Sequence, residues 1–299
     1  MIWWPVLLEL GKRGIDHLPA VWRYGVCAYI ESRWATAEQR WWRQKAQEFY
    51  DGLGRPATVL SGPFQGMPYI NRSSGSAFLP KILGTYEMEL RPAVEAICAA
   101  QPDLLVDIGA AEGYYAVGLA RRLPRLRVRA YEIYPPARLM LQELIRLNRV
   151  GPRVRLGRWC TPRRLECALS EAQRPVVICD CEGAEDDLIL PTQTPSLARA
   201  HLLVELHEAA APGIGARLKE RLAPTHRITE YPARSRTVAD APPGLVVEPG
   251  QVRLVLSERG HPAVAQSWYF CQPLESAARP SQEPMAVGEA GRLGRGRRA

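Results

Sequence analysis

Long apolar runs are missing from this chain of 299 residues. No stretch approaches the ~18 consecutive apolar residues that a membrane-crossing helix needs, so a helical span is not expected. The apolar start, residues 2–8, has no positive charge ahead of its hydrophobic part and is cut short by Glu9, so it does not read as a signal peptide. Lysine is scarce. Four residues (Lys12, Lys45, Lys81, Lys219) supply all of it, and every other basic residue is Arg. The Arg are read as spread along the chain among acids, so the net charge of +8 looks like base composition rather than a built patch, and a nucleic-acid partner is not expected. Paired-cysteine motifs are also absent. The seven Cys (Cys27, Cys98, Cys160, Cys167, Cys179, Cys181, Cys271) are odd in number and irregular in spacing, with no C-x-x-C. That excludes a disulfide framework and points to reduced thiols in a cytoplasmic protein. Cys179-Asp-Cys181 reads as small residues at a buried strand end rather than a metal pair.

What is present is ample core material: 46% of the residues are apolar, enough for one large α/β domain with extensions. Six of the eight Trp (Trp3, Trp4, Trp22, Trp34, Trp41, Trp42) fall in the first sixty residues. The pattern divides the chain into a helical, Trp-rich N-terminal extension and loop over 1–83, a main α/β domain over 84–274, and a disordered basic tail over 275–299. Within the extension, 35–52 has helical spacing, and the Gly-, Ser- and Pro-rich stretch 61–83 reads as loop with a short hairpin. A helix is expected over 85–100. From there strands (104–108, 127–133, 153–158, 175–180, 201–206) alternate with helices (113–123, 136–149, 183–190, 213–222), which implies a parallel sheet covered on both faces. Further strands are expected at 226–231, 252–256 and 268–271. No internal repeat is visible.

The most informative motif is Asp107-Ile-Gly109-Ala-Ala-Glu-Gly113-Tyr-Tyr, which follows a short apolar strand and opens a helix. In an open parallel sheet, ligands bind outside the carboxyl ends of the strands. Gly109 permits a sharp turn and close approach to a ligand, and Gly113 lets the helix start against the strand. A dinucleotide fingerprint would place its three small residues at Gly109, Ala111 and Tyr114, and a Tyr there blocks the close helix–strand packing that motif requires. The acid two residues before the first glycine points instead to S-adenosylmethionine (SAM), whose ammonium a carboxylate at Asp107 attracts. Glu132, at the second strand tip, suits the two hydroxyls of a ribose. At the fourth strand tip stand Asp180, Glu182 and Glu185, of which Glu185 reads as a complement to a helix dipole. At the fifth, Glu205 and His207 point to one side by strand alternation, and a His there is a candidate general base.

Taken together, Asp-Ile-Gly-Ala-Ala-Glu-Gly-Tyr-Tyr, Tyr-Glu-Ile, Cys-Asp-Cys-Glu-Gly-Ala-Glu and Val-Glu-Leu-His resemble the strand tips of class I SAM-dependent methyltransferases, most nearly an FkbM-like branch, over residues 80–210. The resemblance implies a Rossmann-like, seven-stranded, mostly parallel sheet with helices on both faces and SAM as cofactor. Asp107, Gly109, Ala110, Gly113, Glu132, Ile133 and Asp180 would bind it, Glu182 would meet the acceptor, and Glu205 and His207 would be catalytic. Two departures stand out: Ala111-Glu112 replaces the family's usual loop residues, and no acid follows the third strand (158–162) to read adenine. The expected reaction is methyl transfer to a hydroxyl of a small molecule, a sugar or secondary metabolite, with no metal. Residues 81–87 are expected to close over the cofactor. The rival readings are a nucleic-acid or protein methyltransferase, a non-catalytic SAM-fold protein, and an NAD-dependent dehydrogenase.

Overall fold

The computed structural model describes residues 37–258 and 266–275. The expectations for most of the Trp-rich segment, before residue 37, and for the basic tail from 276 lie outside the described residues. Five parallel strands form the centre: β1 (Leu104–Ile108), β2 (Arg127–Tyr131), β3 (Val154–Gly157), β4 (Pro175–Cys179) and β5 (His201–Leu206). Two more, β6 (His226–Pro232) and β7 (Ser267–Pro273), complete a seven-stranded sheet of order β3-β2-β1-β4-β5-β7-β6, in which β7 runs antiparallel to both β5 and β6. The architecture is the expected Rossmann-like one. β1 and β4 are buried at every position, as strands covered on both faces must be, and this is why they read as unbroken apolar runs.

The helices are α1 (Ala37–Gly52), α2 (Phe78–Leu83), α3 (Arg91–Ala99), α4 (Tyr114–Arg122), α5 (Pro135–Leu147), α6 (Pro162–Ser170), α7 (Glu185–Leu188), α8 (Ile214–Leu222) and α9 (Val252–Val255). One apolar cluster joins α3, α4 and α5 to one face of the sheet, and a second joins α6 and α8 to the other. A third, smaller cluster packs α1 against α2 and α9.

Three local expectations are corrected. Residues 252–256 form a helix rather than a strand: Val252, Leu254 and Leu256 alternate, but Val255 and Leu256 are the residues buried against Leu79 and Leu83, and a capping box at Glu248 and Gln251 starts the turn. The stretch 61–83 contains α2, whose Leu79, Ile82 and Leu83 are buried at helical spacing, and it ends at Gly84 in the left-handed region. In place of a hairpin, a single bridge joins Thr58 and Pro68. The helix expected over 85–100 is a turn, a short 3-10 segment at Met88–Leu90 and then α3.

The chain winds outward from β1 to β3, then returns to place β4 on the other side of β1, so the tips of β1 and β4 lie side by side at the switch point. Gly109 sits there at φ +82°, and a Cβ on it would stand 1.6 Å from the carbonyl oxygen of Asp180. The close approach expected to serve a ligand therefore serves the neighbouring strand tip. Gly66, at φ +79°, has nothing within 4 Å of its Cβ position. Gly66→Ala should lose only the roughly 1–2 kcal/mol of a left-handed L-residue. Gly109→Ala should lose clearly more, because backbone must move. Urea unfolding of the two variants checks this, and equal losses would refute the contact.

Candidate active site

Asp107 lies inside β1, between Ala130 of β2 and Ile178 of β4 in the register, and is buried. It accepts a hydrogen bond from the backbone of Ala116, but its Oδ2 is buried with no partner among the described residues. Burial, and then the charge of Asp180, push its carboxyl up to about 7. Glu132 follows β2. Its Oε2 accepts from the Ala111 N–H at 2.8 Å and its Oε1 from the Tyr134 N–H at 2.6 Å, so it props the glycine loop from below; burial outweighs these bonds and raises its pKa. The loop's own amides are occupied internally. Gly109 and Ala110 both donate to the Tyr131 carbonyl and Gly113 donates to that of Ala110. The Ile133 carbonyl accepts from Arg138 at 2.7 Å. Carboxylates, rather than loop N–H groups, are thus the polar groups offered at the first two tips.

At the tips of β4 and β5 five titratable groups meet. Around Nε2 of His207 stand Oε2 of Glu205 at 3.4 Å, Oε2 of Glu182 at 3.5 Å and Oδ1 of Asp180 at 3.6 Å. Glu205 and His207 do share one side. Glu182 is held at φ +59°, a strained setting for a residue with a side chain. The group missed in the sequence is Glu185. It is fully buried, and it accepts from the N–H groups of Cys181 and Gly183 and pairs with Nδ1 of His207 at 2.9 Å. It organises the site instead of complementing a helix dipole. The signal was in plain view: an acid two residues past a glycine that the structure puts at φ +106° can fold back on the loop's amides. Burial opposes both charges of this pair, yet their mutual attraction wins, so Glu185 is lowered and His207 is raised, the latter helped by Asp180 and Glu182. Asp180, Glu185 and His207 also bring ligand-type atoms within 4.8 Å of one another, so they are the groups that could hold a cation. Cys179 is buried at the end of β4, as expected, with its Sγ 3.5 Å from that of Cys181.

Glu112, an apparent oddity of the glycine loop, is the hub of a second network. Its fully buried carboxylate pairs with Lys81 at 2.5 Å and accepts from Ser73 Oγ at 2.6 Å, Tyr69 OH at 2.8 Å and the Ser74 N–H at 3.2 Å. The Lys81 ammonium also lies 4.7 Å from the centre of the Tyr86 ring. The segment 69–87 is thereby strapped onto the glycine loop. Its end is tied a second time: the Glu87 N–H donates to Glu258 at 2.7 Å, Arg236 joins Glu258 to Glu89, and Tyr115 donates to the Glu87 carboxylate. Burial, then Glu258 and Asp180, raise Glu87 to about 8.

No family model matches the chain, and no curated protein does. Among solved structures it is similar to precorrin-6y C5,15-methyltransferase from Geobacter metallireducens, at 10% identity over 60% of this chain and 87% of that one, with a TM-score of 0.40. It is similar to precorrin 8w decarboxylase from Methanobacterium thermoautotrophicum at 18% identity over 68% and 96%, with a score of 0.42, and to the METTL16 methyltransferase domain at 13% identity over 77% and 80%, with a score of 0.44. Likeness at this level says nothing of the chemistry, which has to come from the side chains. Among the described residues no helix is long and apolar enough to cross a membrane.

Breaking the strap's ion pair has a definite signature. Glu112→Gln leaves Lys81 buried without its counter-charge, which should cost about 3–5 kcal/mol at pH 7. Lys81 and the hydrogen bonds lower the Glu112 pKa against its burial, so the stabilisation is complete above the unfolded carboxylate pKa of about 4.3 and disappears as pH falls through the lower folded value. The gap in unfolding free energy between wild type and Glu112→Gln should therefore shrink in acid; a gap independent of pH would contradict the pair.

Proposed function

We propose that the protein is a SAM-dependent methyltransferase acting on a hydroxyl of a small molecule, a sugar or secondary metabolite. The observation that carries this reading is the buried, unpartnered Oδ2 of Asp107 at the switch point, one strand away from the Glu132 carboxylate. A buried carboxylate oxygen without a donor fits an ammonium, and an acid at the next tip fits a ribose diol. Asp107, Glu132 and Asp180 would hold SAM, with Gly109, Ala110, Gly113 and Ile133 shaping the floor beneath it. When bound, SAM supplies a methyl group activated by a positive sulfur.

The chain's own residues then have separable tasks. Glu185 holds the Nδ1 proton of His207, which leaves Nε2 to take the proton of the acceptor hydroxyl. Glu205 and Glu182 flank Nε2 and favour the imidazolium that forms. The strap encloses the loop and helps to exclude water. A dehydrogenase reading is weakened by Tyr114. It is buried in the first turn of α4, with its ring 5.0 Å from Phe64 and 5.3 Å from Tyr86, while the close contact to Leu141 belongs to Gly113. The FkbM-like strand tips support a hydroxyl acceptor.

Calorimetry tests the cofactor. SAM should bind with heat, and Asp107→Asn should weaken it by about 10- to 100-fold, the equivalent of one charged hydrogen bond of roughly 1.5–3 kcal/mol. Because Asp107 titrates near 7 and its carboxylate is the binding form, affinity should rise about tenfold from pH 6 to pH 8, as the ionised fraction grows. An affinity that is flat over that range removes Asp107 from the site. With labelled SAM and a panel of sugars and metabolites, His207→Ala should abolish transfer while binding SAM normally. The acid limb of kcat/KM in wild type should lie above the ordinary histidine value of about 6.5 and move to lower pH in Glu185→Gln. Unaltered turnover in His207→Ala would strike that residue from the mechanism.

A further inference from the structure

The positive charge of this chain is not spread as its sequence was read. Residues 121–164 contain thirteen Arg, no Lys and two acids, Glu132 and Glu143, a net of +11. The whole chain sums to +8, so everything outside that segment sums to −3. The fold then gathers the segment at one place, because it comprises the end of α4, β2, α5, the edge strand β3 and the start of α6. Arg122 pairs with Glu95, Arg127 with Asp103 and Arg129 with Glu171. Arg125, Arg149, Arg155 and Arg163 are exposed and have no acidic partner among the described residues. In the strand register Arg155 stands directly opposite Arg129, a like-charge juxtaposition that lowers stability. Just past the carboxyl end of the same edge strand, Trp159 is half exposed.

We propose that this β3 edge binds single-stranded nucleic acid. Arg carries a planar fork suited to bidentate contact with phosphate, and Arg149 before the edge strand, Arg155 on it and Arg163 after it offer such forks to successive phosphates. An exposed Trp among them offers the face on which a base stacks, an arrangement that serves an unpaired strand better than a duplex. An anionic membrane fits less well. The helices of this edge bury their apolar faces in the core, α5 through Leu141, Leu144 and Ile145 and α6 through Leu165, Ala168 and Leu169, and the single exposed Leu147 does not make an apolar face to insert. The proposal is independent of the methyl-transfer reading.

The test uses the full chain and fluorescence anisotropy with labelled RNA and DNA single strands of about 20 nucleotides and mixed sequence, repeated over a range of salt. Binding should weaken steeply with salt, each phosphate contact adding about 0.7 to the log–log slope. The triple variant Arg149→Gln, Arg155→Gln, Arg163→Gln should lose tenfold or more in affinity and about 2 from that slope. Its melting temperature should be no lower than that of wild type, since the Arg129–Arg155 juxtaposition is relieved. Trp159→Leu should weaken binding with the slope retained. The two probes show whether RNA or DNA is preferred, and either satisfies the proposal. It is overturned if neither strand binds at low salt, if the triple variant binds as tightly and with the same slope as wild type, or if phosphatidylglycerol vesicles bind in an Arg-dependent way while both strands do not.

Discussion

The buried pair between Lys81 and Glu112 is the interaction on which the rest of the site's geometry depends. A charge taken out of water is expensive unless a counter-charge and hydrogen bonds replace the solvent. Glu112 gathers an ammonium, two hydroxyls and a backbone N–H, all from the segment 69–81. That demand leaves the segment one place to lie, across the glycine loop between β1 and α4. Once it lies there, Tyr86 and Glu87 are carried to the edge of the carboxylate cluster and the Arg236–Glu258 pair can close over the strap's far end. A single acid in the glycine loop is thus the point where the segment preceding the sheet is fastened.

Around this anchor the protein concentrates negative charge. Asp107, Glu132, Asp180, Glu182, Glu185 and Glu205 converge from four strand tips, with Glu87 arriving from the strap. Such a set cannot be fully ionised without mutual repulsion. The structure relieves it in three ways: Asp107 and Glu87 retain their protons to near-neutral pH, Glu185, Asp180 and Glu182 raise the proton affinity of His207 against its burial, and backbone N–H groups bond Glu132 and Glu185. Three residues with side chains take left-handed backbone here, Glu87, Ala111 and Glu182, one in each of the loops around the crevice. Strain and like charge are thus concentrated at one place, the rim of the carboxyl ends of the strands. Toward the β3 edge of the sheet the charge reverses, because the segment 121–164 is rich in Arg.

Much of this was legible in the chain. Each of β1, β4 and β5 announced itself as an apolar run with an acid or glycine at its end, because strands covered on both faces have no polar alternation to hide behind. Asp107, Glu132, Asp180, Glu205 and His207 were picked out because strand tips in such a sheet share one rim. The errors have the same physical root. Val252–Val255 and Phe78–Leu83 are short apolar stretches whose period is too brief to separate a turn of helix from a strand or loop, and only their packing against each other decides it. Glu185 was set aside because helix-start acids are common. Nothing local says that this one is buried against a histidine 22 residues further on.

The sequence by itself determined the alternation of strands and helices, the sheet's parallel core and the residues at its carboxyl rim, since periodicity and burial are encoded residue by residue. The tertiary structure alone decided which of those residues act on one another. The Glu185–His207 bond, the Glu112–Lys81 pair and the Gly109–Asp180 contact all join positions distant in the chain. Pairings of that kind are set by the order in which strands take their places in the sheet, and strand order is a property of the folded whole rather than of any segment.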